Sequence, residues 1–399
     1  MKSFSDAADL ALLGAPPAYA QPLHVGRPNI GDRDAFMRRM NDILDRRWLS
    51  NNGPMVQEFE RSLAEYLGVK HVVAMCNGTV ALEIAIRALD LTGEVIVPSY
   101  TFIATAHALH WQAITPVFAD IRSDTHTLDP EAVRRMITPR TTGIIGVHLW
   151  GRACDVEGLQ AVADEHGLQL MFDAAHAFAC THKGTRIGNF GRCEVFSFHA
   201  TKFFNSFEGG AVATNDDELA RQMRLMANFG FQGFDNGIYP GTNGKMTEVC
   251  AAMGLTGLES LDSFTATNRR NHGHYASRLN DVPGLSLLAY DEAEGNNFQY
   301  VVVEVGDTFP VSRNDIIRVF HAENILARKY FWPGCHAMLP YRSLFPHARL
   351  MLPETLKVAD RVIVLPTGTA IEESDIECVT GILRLLAAPG TAAKLPPAA

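Results

Sequence analysis

The chain has 399 residues, of which 47% are hydrophobic and 20% charged, a balance typical of a globular protein with a large core. Its formal net charge is -9 and it has no run rich in lysine and arginine, so nucleic acid is not expected as a partner. We find no signal peptide and no apolar run long enough to cross a membrane. Seven cysteines without a CxxC pair favour a reduced, cytoplasmic protein.

Apolar periodicity predicts the secondary structure in chain order. Helices are predicted over residues 33–47, 55–67, 79–90, 101–112, 130–137, 155–166, 216–229, 246–280, 312–323, 353–360 and 372–387. Strands are predicted over residues 71–75, 94–98, 115–119, 143–149, 168–173, 193–198, 210–214 and 299–305. Because apolar strands alternate with amphipathic helices, the fold class is α/β, with a mostly parallel seven-stranded sheet flanked by helices.

The predicted elements divide the chain into four parts. Residues 1–30 are rich in proline and form an irregular N-terminal arm, and residues 31–260 form a large domain that contains the sheet. Residues 261–390 form a smaller α+β C-terminal domain, and residues 391–399 form a disordered tail.

Ligands of such sheets bind at the carboxyl ends of the strands, so the residues that follow each strand are candidate site residues. Gly78 and Thr79 follow the first strand and open a helix, where free N–H groups can bind an anion. The preceding Asn77 also suits an ordinary helix cap. Phe102 follows the second strand, and its ring can either stack on a flat ligand or belong to the core.

Charged and polar residues follow the fifth and sixth strands. Asp173 ends an apolar strand, where a carboxylate needs a cationic partner such as a pyridinium N–H, or caps the next helix. His176 lies three residues later and could reach the same ligand. Ser197 ends the next strand, and Lys202 follows it in an aromatic run. A desolvated lysine is a nucleophilic amine, although its head could instead reach water while its stem lies on apolar surface.

Pyridoxal phosphate needs such a set of residues: a phosphate site, a stacking ring, an aspartate and a lysine. With these motifs the chain resembles the sugar aminotransferases of the DegT/DnrJ/EryC1/StrS group, which have the fold type I architecture of aspartate aminotransferase. The matching segments are residues 48–54, 76–82, 98–105, 173–177, 196–210 and 241–252. A nucleotide-dependent oxidoreductase is not favoured, because no GxGxxG pattern follows the first strand.

The resemblance implies a role for each motif residue. Lys202 forms the Schiff base with pyridoxal phosphate and moves the proton, and Asp173 keeps the ring nitrogen protonated. The other implied cofactor contacts are His176 to the phenolic oxygen, Phe102 to the ring face, and Gly78, Thr79 and Ser197 to the phosphate. Asn243 is implied to reach the phosphate of the neighbouring subunit's cofactor, which makes the protein a homodimer with shared active sites. No metal is expected.

The segment from residue 241 to 255 resembles the branch that aminates C4 of dTDP-4-keto-6-deoxyhexoses, whereas many C3-specific relatives have Asn-Tyr-Arg where this chain has Asn243-Gly244-Lys245. The implied reaction converts dTDP-4-keto-6-deoxyglucose to dTDP-4-amino-4,6-dideoxyglucose, with L-glutamate as donor and 2-oxoglutarate as by-product, in deoxysugar or antibiotic biosynthesis. The alternatives are C3 amination of a dTDP-3-keto-6-deoxyhexose and a non-catalytic sensor that binds pyridoxal phosphate on the same fold.

A nucleotide diphosphate substrate needs cations at the mouth of its pocket. Lys245, Arg328 and Lys329 are candidates, although solvated surface charge is an equal possibility for the last two. Tyr330 follows them, and His336 lies in a loop that could close over the sugar. These five are the predicted substrate-binding residues.

Overall fold

The computed structural model describes residues 2–397. Its strands are β1 (Leu23–His24), β2 (His71–Met75), β3 (Glu94–Pro98), β4 (Thr115–Ala119), β5 (Thr141–Val147), β6 (Gln169–Asp173), β7 (Thr181–His182), β8 (Thr185–Arg186), β9 (Glu194–Ser197), β10 (Gly210–Thr214), β11 (Leu285–Leu287), β12 (Val301–Val305), β13 (Ile325–Leu326) and β14 (Val362–Leu365). Its α-helices are α1 (Arg33–Arg46), α2 (Pro54–Leu67), α3 (Gly78–Ala88), α4 (Ala104–His110), α5 (Pro130–Met136), α6 (Val156–His166), α7 (Asp217–Met226), α8 (Glu248–Glu259), α9 (Leu261–Leu279), α10 (Arg313–Ala322), α11 (Tyr341–Leu344), α12 (Pro353–Ala359), α13 (Glu373–Ala387) and α14 (Thr391–Lys394).

The central sheet has seven strands in the order β2-β10-β9-β6-β5-β3-β4. Strand β10 runs antiparallel to both of its neighbours, and the remaining pairs are parallel. The predicted mostly parallel seven-stranded sheet is therefore confirmed. In the middle of the sheet, Asp173 at the end of β6 lies opposite Val147 of β5 and Val195 of β9. The register thus aligns the ends of β5 and β6, and β9 continues beside them to Ser197.

Both faces of the sheet are covered by helices, which explains why its strands read as continuous apolar runs. On β6, Met171 packs in the cluster with residues of α3, α4 and α7, whereas Leu170 and Phe172 pack with residues of α5 and α6. Successive side chains of a strand point to opposite faces, so one strand contributes to two cores.

The C-terminal part packs α9, α10 and α13 around a three-stranded antiparallel sheet in the order β11-β12-β14. The N-terminal arm lies on this part, because β1 pairs with β13 and because the fully buried Glu323 carboxylate accepts hydrogen bonds from the Lys2 ammonium and from the Ala11 and Ala18 amides. The arm predicted as irregular contains two short 3-10 turns, Ala7–Asp9 and Ala11–Leu13, besides β1.

Two predicted elements differ from the structure. The helix predicted over residues 246–280 is divided into α8 and α9, because Ser260 leaves helical geometry with φ -104° and ψ 3°. In the segment predicted as a disordered tail, residues Thr391–Lys394 form α14, whose Lys394 pairs with Asp6 at 3.3 Å. Ala398 and Ala399 lie outside the described residues. The domain boundaries at residues 30, 260 and 390 stay a prediction.

Strand β14 is not predicted by the sequence pattern, since its four apolar residues are separated from helix α12 by only two residues and show no alternation. Among residues 2–397, no helix is both long and apolar enough to cross a membrane.

Candidate active site

The carboxyl ends of β2, β3, β5, β6 and β9 surround one cavity of about 600 Å³. This cavity brings together most of the residues that the strand-end rule predicted. Those that line it are Gly78, Thr79, Phe102, Asp173, His176, Ser197, Lys202 and Tyr330. A volume of this size suits a small-molecule ligand.

One end of the cavity is the N-terminus of α3. Asn77 caps this helix, since its side chain accepts a hydrogen bond from the Val80 amide at 2.9 Å. The first-turn amides of Gly78 and Thr79 have no acceptor within the helix, which makes this end of the cavity suited to an anion. A Cβ on Gly78 would lie 2.9 Å from the Ser197 Cβ, so only glycine allows this close approach of helix and strand. The predicted cap is therefore observed at Asn77, and the anion site stays a prediction.

Asp173 forms the buried floor of the cavity. Its carboxylate accepts hydrogen bonds from the Thr105 hydroxyl at 2.8 Å and from the Ala175 amide at 3.1 Å. Burial raises the pKa of Asp173, whereas these two hydrogen bonds and the charge of Lys202 act in the opposite direction. The carboxylate can thus offset its burial by pairing with a cationic ligand atom in the cavity.

Lys202 lies in the loop between β9 and β10, and its backbone is fixed by a hydrogen bond from its amide to the His199 carbonyl at 2.8 Å. Burial lowers the pKa of its ammonium to about 8, although the nearby Asp173 carboxylate favours the charged form. Within residues 2–397, Lys202 Nζ has no hydrogen-bond partner. A lysine with these properties has a substantial neutral fraction near pH 8 and is available for nucleophilic attack.

His176 follows the floor strand and is only 5% exposed. Burial, and to a smaller extent the positive charge of Lys202, lower the pKa of its imidazole well below the usual value. The ring is therefore neutral at neutral pH. Its Nδ1 atom is buried without a hydrogen-bond partner in the described part of the chain, which leaves the imidazole with unused hydrogen-bonding capacity.

The remaining predicted cofactor residues differ in their placement. Phe102 lines the cavity but is 57% exposed, so its ring lies at the mouth rather than in the core. Asn243 lies in an exposed loop and is not among the residues that line the cavity. The role predicted for it concerns a neighbouring subunit and stays a prediction.

Four predicted substrate residues do not line the cavity. Lys245 places its Nζ 4.5 Å from the centre of the Phe229 ring, and Arg328 lies over the Tyr330 ring at 4.9 Å. Lys329 lies over the Trp332 ring at 4.1 Å. His336 is buried, and its Nδ1 lies 2.7 Å from the Ser99 hydroxyl, so it supports the loop from inside instead of facing the cavity. Of the five, Tyr330 alone lines the cavity as described.

Several residues that line or support the site were not predicted from the sequence. Tyr300 and Phe331 line the cavity, and Thr105 holds Asp173 from α4. His199, Thr201 and Glu208 form a polar rim on the side of Lys202. The last three lie within the matching segment 196–210. Tyr300 precedes β12, a strand of a different sheet, and the residues around it in the sequence showed no sign of a site.

Comparison with known proteins agrees with this geometry. Residues 31–384 match the DegT/DnrJ/EryC1/StrS aminotransferase family. The dTDP-4-amino-4,6-dideoxy-D-glucose transaminase of Escherichia coli is 35% identical, over 90% of this chain and 97% of that protein. The GDP-perosamine synthase of Caulobacter vibrioides is 36% identical, over 86% of this chain and 92% of that protein.

Among solved structures, that of DesI in the presence of its TDP-sugar product has a TM-score of 0.92 and 50% sequence identity, and the match covers 96% of this chain and 97% of DesI. The chain therefore belongs to the DegT/DnrJ/EryC1/StrS aminotransferase family, as its motifs predicted, and is a sugar aminotransferase of the type that depends on pyridoxal phosphate.

Proposed function

We propose that this protein transfers the amino group of L-glutamate to C4 of dTDP-4-keto-6-deoxyglucose and so forms dTDP-4-amino-4,6-dideoxyglucose, in deoxysugar or antibiotic biosynthesis. The observation that carries the chemistry is the placement of Lys202, Asp173 and His176 around one cavity that ends at a helix N-terminus. The choice of sugar is supported by the similarity to DesI, whose structure was solved in the presence of a TDP-sugar product, and to the transaminase of Escherichia coli.

Three features of the cavity fit pyridoxal phosphate. The buried Asp173 carboxylate suits a protonated ring nitrogen, because an ion pair offsets the cost of burial that raises its pKa. The unpaired imidazole of His176 suits the phenolic oxygen. The Gly78 and Thr79 amides and the Ser197 hydroxyl suit the phosphate. When bound, the cofactor supplies an electron-withdrawing ring that stabilises negative charge on the carbon that exchanges nitrogen.

The protein residues then have distinct tasks. Lys202 holds the cofactor covalently and afterwards moves a proton at its Nζ, for which a pKa of about 8 is well matched to neutral pH. Asp173 keeps the proton on the ring nitrogen. His176 stays neutral and contacts the phenolic oxygen without adding a charge beside Lys202. Phe102, at the mouth, is free to stack on the ring face.

The proposal includes a homodimer in which Asn243 completes the partner subunit's phosphate site. Its loop is exposed, and the adjoining segment exposes large apolar side chains: Phe229, Phe231, Phe234 and Ile238. Exposed apolar groups that cluster in one segment are typical of an interface. The seven cysteines are all free thiols, which is consistent with the cytoplasmic location that we propose.

A GDP-linked 4-keto-6-deoxy sugar is the second candidate substrate, because the GDP-perosamine synthase is as similar to this chain as the dTDP-sugar transaminase is. The test is a panel of the dTDP-4-keto, dTDP-3-keto and GDP-4-keto sugars at equal concentration with glutamate, followed by product analysis. We expect the largest kcat/KM for the dTDP-4-keto sugar. A preference for the 3-keto or the GDP sugar would replace the proposed substrate, and cofactor binding without turnover of any sugar would favour a sensor.

A further inference from the structure

The imidazole of His176 is held by aromatic packing. Neither of its ring nitrogens makes a hydrogen bond within residues 2–397, although the backbone is fixed by Asn297, whose side chain donates to the His176 carbonyl at 2.9 Å. The ring stacks on Trp150 with centroids 6.0 Å apart and on Phe331 with centroids 5.8 Å apart, and Tyr300 contacts it at 4.6 Å. The angle of the imidazole in the cavity therefore depends on these three rings.

Trp150 is itself held by a chain of hydrogen bonds that the cofactor chemistry does not use. Its indole Nε1–H donates to His126 Nδ1 at 3.1 Å, and His126 Nε2 lies 2.8 Å from a carboxylate oxygen of Glu304 on β12. Because an indole nitrogen can only donate, we assign the His126 proton to Nε2, where it is donated to Glu304. Trp150 and His126 are both buried, so each hydrogen bond is costly to break.

The backbone of Trp150 reinforces this arrangement. Its φ of 62° and ψ of 13° are left-handed, a conformation that is uncommon for a large side chain and costs free energy. Its carbonyl accepts a hydrogen bond from the Tyr290 hydroxyl at 3.0 Å. The surrounding contacts thus fix one orientation of the indole, which also stacks on Phe331 at 5.5 Å and 13°.

We propose that Trp150 is a positioning residue for the transamination. Fixed by His126 and Glu304, it sets the angle at which His176 meets the phenolic oxygen of the cofactor. This inference rests on the proposed function, since the contact between His176 and the cofactor is part of it. Trp150 does not line the cavity, so it acts on the cofactor through the residues that it contacts, of which His176 is the one assigned to the phenolic oxygen. The other groups that act on the imidazole are the Lys202 ammonium, through its charge, and Tyr300, through its ring.

The test uses the holoenzyme and four variants. Trp150→Phe keeps an aromatic ring but removes the N–H donor, His176→Gln keeps hydrogen-bonding capacity at the site, and the double variant combines them. Trp111→Phe, at an 84% exposed tryptophan, is the matched control. The readouts are the pH midpoint of the absorbance change of the bound cofactor, and kcat and KM for the sugar nucleotide.

We expect Trp150→Phe to shift the absorbance midpoint and to lower kcat by about ten-fold without raising KM, because a small misplacement of a contacting group has a large effect on rate. Trp111→Phe should change neither quantity. In the His176→Gln background, Trp150→Phe should have no further effect, because the residue through which it acts is already gone.

An unchanged midpoint in Trp150→Phe, or effects of the two substitutions that add in full, would overturn the inference. If Trp150→Phe does not fold, His126→Phe and Glu304→Gln decide the question, since they weaken the same chain of hydrogen bonds from its other end and must shift the midpoint. An unsubstituted enzyme that binds no cofactor would instead refute the proposed function, and with it the basis of this inference.

Discussion

The floor and the mouth of the cavity are built in different ways. The floor consists of residues at the carboxyl ends of strands of the central sheet, such as Asp173, the last residue of β6, and Ser197, the last residue of β9. The mouth consists of the half-buried Tyr330 from the C-terminal part and of the exposed Phe102. The cations predicted for the mouth do not line the cavity and lie over aromatic rings instead.

This difference indicates that the floor carries out the chemical steps and that the mouth determines which substrate binds. The strands of the sheet are buried on both faces and in fixed register, so the groups at their ends are held rigidly, as the transfer of a proton requires. The mouth is formed by loops, and loops are where related proteins vary. We therefore expect changes in the floor to abolish turnover and changes at the mouth to alter affinity.

Replacing Lys202 tests the floor most severely. Lys202→Ala removes the only lysine that lines the cavity as described, so kcat should fall by at least about 10⁴-fold. After treatment with borohydride, mass spectrometry should find no cofactor attached to the variant. The exposed Lys357→Ala is the matched control and should keep both activity and attachment. Cofactor covalently bound to the Lys202 variant would disprove the assignment.

Replacing Asp173 removes charge from the floor but leaves its shape. Asp173→Asn should still bind the cofactor, yet kcat should fall by about 10²- to 10³-fold, because the ring nitrogen loses the anion that keeps it protonated. The measurement is steady-state kinetics on protein whose cofactor content is confirmed by absorbance. Turnover near that of the unsubstituted enzyme would rule out this role for Asp173.

Subunit mixing tests whether Asn243 of one subunit completes the phosphate site of its partner subunit. Lys202→Ala and Asn243→Ala should each be inactive alone, but a hybrid dimer contains one site with both residues intact. After random exchange, about one site in four should be active. The activity of the mixture is compared with that of the two separate variants. Mass spectrometry verifies that the subunits have exchanged. If no activity is recovered after verified exchange, the shared site is contradicted.

The floor was predicted from the sequence because its physical rule is local. Each residue follows an apolar strand, and parallel strands bring their ends to one edge. The residues contributed by the C-terminal part had no such rule, since Tyr300 and Phe331 reach the cavity through tertiary packing, and His336 is turned inward by its contact with Ser99. Thr105 was missed for another reason: its bond to Asp173 joins residues 68 positions apart.

Removing the hydrogen bond from Thr105 to Asp173 should have a smaller effect on kcat, and this effect should depend on pH. Thr105→Val removes a hydrogen bond that lowers the pKa of Asp173, so this pKa should rise further. Because the ionised carboxylate is the active form, the acidic limb of the plot of kcat against pH should move to higher pH. Near the optimum, kcat should fall by about ten-fold or less. Thr105→Ser retains the hydroxyl and should keep the original limb, and equal profiles for the two variants would refute this role.

Substitutions at the mouth should have the smallest effect, and this effect should appear in KM. Arg328 and Lys329 lie on the Tyr330 and Trp332 rings, and Lys329 Nζ is also 3.4 Å from the Asn314 side-chain oxygen. Because Tyr330 lines the cavity and Arg328 lies on its ring, we expect a diphosphate bound at the mouth to be close to these two side chains. Arg328→Gln and Lys329→Gln should each raise KM for the sugar nucleotide by about five-fold at most, since exposed charges contribute little and are screened by salt.

The value of kcat should not change in either variant, because neither side chain touches the floor. The effect on KM should decrease as the salt concentration rises. The exposed Lys70→Gln, which precedes β2 at the opposite end of the strand, is the control for loss of one positive charge. If the two mouth variants match this control at low salt, the diphosphate is bound elsewhere. The contrast between a catalytic floor and a binding mouth must then rest on Tyr330.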